Sequence, residues 1–180
     1  MKSIQLNRLA LVVLGAVIFT TSCTAQVEQK ATPIHWLGFE QAVAKSDSTP
    51  KKMFIDAYTH WCGWCKKMDA STFRDSAVAK YMNEKFYAVK LDAETKDTIT
   101  FKGSRFAYKP ENKANELAGN LMNGKMSYPT FIFLDEQFAM LTPLPGYQTP
   151  EQLMQVLRFF GEDIYKTKKW EEYQKEVGVK

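Results

Sequence analysis

Met53-Phe54-Ile55-Asp56-Ala57-Tyr58, followed by Thr59-His60 and then Trp61-Cys62-Gly63-Trp64-Cys65-Lys66, is the stretch on which the reading of this 180-residue chain turns. An apolar run of strand character ends, a few polar residues turn the chain, and a Cys-x-x-Cys opens a segment with helical periodicity. At a helix start the free N–H groups and the positive end of the dipole favour an anion, so a thiolate at Cys62 is stabilised there. Cys65, one turn later on the same face, can reach back to it. Two thiols at this spacing can cycle between dithiol and disulfide with little backbone movement.

Other uses of the pair fit less well. A zinc site normally needs four ligands, and beyond Cys62 and Cys65 the chain offers only Cys23, His35 and His60. His60 stands two residues before Cys62, an awkward spacing for tetrahedral chelation. Haem attachment needs His after the second Cys, and Lys66 stands there. A disulfide across so short a loop restricts the unfolded chain little, so stability is a poor reason for it. No metal or organic cofactor is expected.

Asp56 is out of place in its apolar strand. On a half-solvated strand it would lie on the polar face, but Phe54, Ile55, Ala57 and Tyr58 leave no polar alternation, which predicts a strand covered on both sides. A carboxyl group buried there has a raised pKa and can exchange protons with Cys65.

Downstream, Asp75 or Ser76 can cap a helix carrying Ala77, Val78, Tyr81 and Met82, and Phe86 to Asp92 reads as another strand. From spacing alone Lys90 is as well explained by an exposed strand position. Residues 95–112 read as a hairpin or long loop, Thr98–Phe101 and Arg105–Tyr108 around Lys102-Gly103-Ser104. That segment suits either partner recognition or a surface elaboration packed on its own aromatics. A helix through Ala114, Leu117, Ala118 and Leu121 stops at Asn123-Gly124. Tyr128-Pro129-Thr130 leads into a strand, Phe131–Leu134, and Asp135-Glu136-Gln137 turns the chain into a second, Ala139–Leu144. Thr149-Pro150-Glu151-Gln152 carries an N-cap, a first-turn proline and a capping box. The helix that follows buries Leu153, Val156, Leu157 and Phe160 and ends at Gly161. Ile164–Val177 predicts one more helix, with no readable packing partner.

Upstream, Ile34-His35-Trp36 predicts a short first strand, and Phe39, Ala42 and Val43 a helix ending before Asp47-Ser48-Thr49-Pro50. His35 fits a surface or packing position. Leu9 to Phe19 is an apolar run after a basic start, too short to span a bilayer and built like the core of a secretory signal over residues 1–25. Two processing routes stay open. Cys23 after small residues resembles a lipoprotein cleavage site, although Thr20 replaces the usual Leu-type residue; Cys23-Thr24-Ala25 also permits cleavage before Gln26. Residues 26–33 read as a tether to one domain over 34–180.

Hydrophobic residues make up 45% and charged residues 24% of the chain, an ordinary globular balance with enough apolar material for one domain. Loss of Lys2 and Arg8 with the leader takes the formal charge from +4 to about +2. No basic patch argues for nucleic acid. No internal repeat or low-complexity segment appears.

The run Asp56…Trp61-Cys62-Gly63-Trp64-Cys65-Lys66 resembles the active-site segment of the thioredoxin superfamily, in which a buried Asp lies six residues before the first Cys. Its continuation through Met68, Thr72-Phe73, Val78-Ala79, Asn83-Glu84, Phe86, Val89-Lys90 and Asp92 is similar to a branch with a Trp-Cys-x-Trp-Cys site found in bacterial envelope proteins. Tyr128-Pro129-Thr130 matches the family's cis-proline loop, and Gly146 the glycine after its last hairpin. Together these motifs cover roughly residues 34 to 160. One departure is Trp64, where thioredoxin has Pro, so thioredoxin's redox potential does not carry over.

The resemblance implies a thioredoxin-like α/β three-layer sandwich, a mixed central sheet with helices on both faces. It implies that Lys90 sits near Asp56, that Pro129 is cis beside the cysteines, and that Trp61, Gly63, Trp64, Tyr128, Pro129 and Thr130 border a groove for an extended substrate. The expected activity is thiol-disulfide exchange in the bacterial envelope, with Cys62 attacking, Cys65 resolving and Asp56 moving the proton. Expected partners are proteins with disulfides or thiols and a membrane redox relay or oxidase, with Cys23 a possible lipid anchor and the chain a monomer. A peptide-binding or chaperone-like module and an envelope spacer are the rival classes. Neither requires Cys62, Cys65, Asp56 and Pro129 together.

Overall fold

The computed structural model describes residues 32–178. The expected leader, Cys23 and the tether up to residue 31 lie outside them. Thr32 and Pro33, the end of that tether, are exposed and carry no regular structure.

The central strand forms as its composition dictates. β2 (Lys52–Tyr58) is buried from Lys52 to Ala57, with helices packed on both of its faces. The first strand, β1 (Trp36–Leu37), is shorter than expected, starting two residues later and ending one later, and the first helix, α1 (Phe39–Ser48), runs past Asp47. After β2 come α2 (Gly63–Ala70), a 3-10 turn at Thr72–Arg74, α3 (Ser76–Lys85) and β3 (Phe86–Asp92). Asp75 is the cap of α3, its Oδ1 accepting the N–H groups of Ala77 and Val78 at 2.9 Å each.

The elaboration after β3 is two small hairpins rather than one. β4 (Ile99–Phe101) pairs with β5 (Ser104–Phe106) through Lys102 and Gly103, both with positive φ as a tight two-residue turn requires. β6 (Tyr108–Lys109) then pairs with β7 (Ala114–Asn115). Phe101 packs edge-on to Phe39 and Phe138, and the Thr100 N–H donates to Glu40 Oε1 at 2.7 Å. The segment is thus packed on its own and neighbouring aromatics. Ala114 belongs to β7, not to the helix. α4 spans Glu116–Leu121 because Asn115 caps it, its Oδ1 accepting the Leu117 N–H at 3.0 Å.

β8 (Thr130–Leu134) runs antiparallel to β2, and β9 (Met140–Pro145) antiparallel to β8, with a register shift beside Phe133. α5 (Pro150–Gly161) begins with the expected capping box: the Gln152 N–H donates to Thr149 Oγ1 at 3.3 Å, and the Thr149 N–H to Gln152 Oε1 at 2.9 Å. The last expected helix is broken. Asp163 adopts a left-handed conformation, a 3-10 turn at Ile164–Lys166 follows, and α6 covers only Trp170–Glu176. Its partner is α5, through Trp170 and Tyr173 on Phe159 at 5.1 and 5.4 Å.

The strand order β1-β3-β2-β8-β9 makes one mixed sheet, parallel through β2 and antiparallel beyond it. One face carries Phe54, Phe131 and Phe133 under α2, α3 and α5; the other carries Met53, Ile55 and Ile132 under α1 and α4. This is the three-layer sandwich that the resemblance implies. Among the described residues no helix is long and apolar enough to cross a membrane.

Candidate functional site

The site lies where β2 gives way to α2. The Cys62 N–H donates to the Thr59 carbonyl at 3.2 Å, which closes the turn, and Cys62 becomes the N-cap of α2. Its sulfur accepts the Cys65 N–H at 3.0 Å, the contact that would hold a thiolate there. Cys62 and Cys65 are joined in a disulfide with their Cα atoms 5.3 Å apart. Residue exposure scarcely separates them, at 4% and 2%. What separates them is position: Cys62 precedes the first turn and Cys65 lies within it.

Asp56 is fully buried on the sheet face that α2 covers. The β2–β3 register places it directly opposite Lys90, whose Nζ donates to Oδ2 at 2.7 Å. Oδ1 is buried with no hydrogen-bond partner. Burial pushes the Asp56 pKa up to about 6, against the pull of the Lys90 ammonium. Burial pulls Lys90 down in turn, but Asp56 and Asp69 outweigh it and its pKa lies above the ordinary lysine value. Lys90 is therefore no exposed strand lysine. It bridges Asp56 and, on α2, Asp69, while the rings of Trp36, Tyr58 and Phe73 surround its Nζ at 4.9, 5.1 and 5.2 Å.

The Tyr128–Pro129 bond is cis, and the Gly146 N–H donates to the Pro129 carbonyl at 2.8 Å. Thr130 is buried, its hydroxyl donating to the Ser127 carbonyl at 2.7 Å. Trp61 and Trp64 flank the disulfide with 66% and 55% of their surface exposed, unusual for indoles and a mark of a contact surface. Trp61 lies edge-on to Tyr128 at 5.8 Å, and its Nε1 donates to Glu94 Oε1 at 3.0 Å. Trp64 lies 5.5 Å from Tyr147, with Lys67 Nζ 4.9 Å from both rings. Gly63, between the cysteines, has open space where a Cβ would stand.

Sequence reasoning missed Glu94, Tyr147, Asp69 and Trp36. Asp69 is carried in on α2 itself and Tyr147 follows Gly146, so a local signal could have flagged either, whereas only the tertiary fold brings Glu94 and Trp36 to the site. No cluster of side chains able to hold a metal ion is present among the described residues.

A family model described as Thioredox_DsbH, protein of unknown function DUF255, matches residues 19–177. Among solved structures, the chain is similar to a DsbH oxidoreductase at 16% identity and a TM-score of 0.53, covering 83% of this chain and 95% of that one. It is similar to a thioredoxin from Thermus thermophilus at 17% identity and a TM-score of 0.54, covering 72% and 88%. A putative disulphide-isomerase from Bacteroides thetaiotaomicron shares 27% identity with a TM-score of 0.50, covering 74% and 94%. Uncharacterized protein B0495.5 of Caenorhabditis elegans is 31% identical over 68 residues, 37% of this chain and 9% of that protein. The match thus spans only a small part of that relative's length.

Proposed function

Because the chain belongs to the Thioredox_DsbH family, whose model takes in nearly all of it, we propose that it is a thiol-disulfide oxidoreductase acting on protein substrates through Cys62 and Cys65. The observation that carries this reading is the Cys62 sulfur, which caps α2, accepts the Cys65 N–H and is bonded to Cys65.

In the reductive direction the Cys62 thiolate attacks a substrate disulfide, forms a mixed disulfide and releases one substrate thiolate, which takes up a proton. Cys65 then loses its proton to the Asp56 carboxylate and attacks Cys62 Sγ. The Cys62–Cys65 disulfide forms, the second substrate thiolate leaves, and the substrate has gained two electrons. The oxidative direction is the reverse, starting with a substrate thiolate on Cys62. Lys90 acts as the countercharge of Asp56. Trp61, Gly63, Trp64 and Tyr128 border the substrate groove at cis-Pro129, whose backbone lacks one N–H, while Thr130 is buried and braces the loop through its bond to the Ser127 carbonyl rather than lining the groove.

The place of action is the cell envelope. The leader over residues 1–25 supports export, and Cys23 supports a lipid anchor with Gln26 as the alternative mature start. Labelled palmitate entering the protein and absent from Cys23→Ala is the expected result; a mature N-terminus at Gln26 would reject the anchor. A membrane redox relay or oxidase then resets the pair, and the direction follows from its potential. Equilibration with glutathione near about −270 mV marks a reductase and near about −120 mV an oxidant.

Insulin reduction by dithiothreitol tests the activity itself. The wild-type protein is expected to accelerate insulin precipitation and Cys62→Ser to lose that effect, while equal rates would reject the enzyme in favour of a binding module.

A further inference from the structure

Two walls of opposite charge rise on either side of the cis-Pro129 loop, each made of one indole and one tyrosine. On one side Trp61 packs against Tyr128, its Nε1 held by Glu94 at 3.0 Å, with Asp92 close by and 3.3 Å from His60 Nε2. Through Trp61, which bonds Glu94 and packs edge-on to Tyr128, the Glu94 carboxylate is held on the side of the residue that precedes cis-Pro129. On the other side Trp64 packs against Tyr147, and the Lys67 ammonium lies 4.9 Å from each ring, with exposed Lys66 next to it on α2. The Gly146 N–H donates to the Pro129 carbonyl, so the Tyr147 wall and the Tyr128 wall meet at the proline.

We infer that this groove selects protein segments in which the reacting cysteine lies between a basic and an acidic residue, the basic one over the Trp61–Glu94 wall and the acidic one over the Trp64–Lys67 wall. The inference rests on the disulfide-exchange reading and names its substrate class. Its physical basis is complementarity. A segment crossing the disulfide in extended form buries apolar surface on both indoles, and a charge at each end finds its opposite. A segment with the charges exchanged meets like charge at both ends. Lys67 and Glu94 are each already fixed by aromatic or indole contacts, so little side-chain freedom is lost on binding.

The test uses Cys65→Ser with Cys62 held as a mixed disulfide with glutathione. A peptide thiolate attacks Cys62 Sγ, forming the Cys62–peptide disulfide and releasing the glutathione thiolate, so atoms and electrons balance and the equilibrium constant is read directly. Two peptides of equal composition are compared, one with Arg before and Glu after its cysteine, the other with the order reversed. Because both walls discriminate, one order is expected to be favoured about threefold to tenfold at low salt. The preference should collapse near 0.5 M salt, where the Debye length is about 4 Å, and should reverse in E94K/K67E. Equal constants for the two orders, or a preference that survives both salt and the charge exchange, would overturn the inference. The salt arm needs no charge variant, so misfolding of E94K/K67E does not rescue it. Failure of every peptide to form a mixed disulfide would instead strike the oxidoreductase reading.

Discussion

Lys90 and Asp56 face each other across β3 and β2, joined at 2.7 Å through Oδ2 while Oδ1 has no hydrogen-bond partner. The pair is asymmetric. Asp56 is sealed under α2, whereas Lys90 is partly exposed and lines an open cavity of about 270 Å³ with Tyr58 and Asp92. A carboxylate held this way is compensated on one oxygen only, which is why burial prevails and its pKa stands at about 6.

That imbalance has a stability signature. In the unfolded chain the carboxyl titrates near 3.8, and in the folded protein near 6. The cost of the buried charge is therefore fully present above pH 6 and fades as pH falls through 6 toward 4. Asp56→Asn should be more stable than wild type by about 3 kcal/mol at pH 8, with most of that gain gone near pH 4. Denaturant unfolding at the two pH values reads it, and a gain of equal size at both would contradict the burial account.

The aromatic cage around Lys90 makes a second expectation. The rings of Trp36, Tyr58 and Phe73 favour the ammonium where it meets Asp56, and so favour the ionised carboxyl. Asp69 on α2 also bonds Lys90, and Glu40, Asp92 and Asp97 line the cavity it opens on; none of them is altered by changing Trp36. Trp36→Leu should raise the midpoint of the Asp56 carboxyl titration, read by carbon NMR, by about half a pH unit. Trp36→Phe should largely restore it. A midpoint unmoved in Trp36→Leu would show that the rings only pack.

The spacing predicts a helix that includes Ala114, but Asn115 caps α4 and the helix begins after it. The fully buried Asn115 amide donates to the carbonyls of Asp97 and Phe106 and its oxygen accepts the Leu117 N–H, tying the elaboration to α4. Asn115→Ala leaves those groups without partners and should cost about 2 kcal/mol. Loss of under half that in thermal unfolding would show the two hairpins to be loosely attached.

Thr149→Ala offers a contrast far from the chemistry. Removing the hydroxyl that accepts the Gln152 N–H should cost about 1 kcal/mol. The glutathione equilibrium of the cysteine pair should not move. A shifted potential would couple α5 to the site in a way that the contacts do not provide.

Local signals carried most of what the sequence allowed. The apolar run before Cys62, the Asp75 cap and the Thr149-Pro150-Gln152 capping box each specify structure within a few residues, and each lies where its chemistry places it. Lys90 was ambiguous because its role depends on the register of β2 against β3, which no periodicity encodes. Glu94 and Tyr147 escaped notice for a similar reason, since each reaches an indole beside the cysteines, Trp61 or Trp64, from a separate connection. In the last segment the helical spacing of Trp170 and Tyr173 was legible, but the 3-10 turn at Ile164–Lys166 that replaces the start of the helix was not.

The central claim is the division of labour between the two thiols, and trapping in envelope extracts measures it most directly. In Cys65→Ser, Cys62 still attacks and nothing resolves its product, so covalent complexes with envelope proteins should accumulate and collapse on adding reductant. In Cys62→Ser they should be scarce, and alkylation of the reduced wild-type protein at mildly acidic pH should modify Cys62 before Cys65. Equal trapping by the two single variants, or prior alkylation of Cys65, would contradict the assignment of nucleophile and resolver.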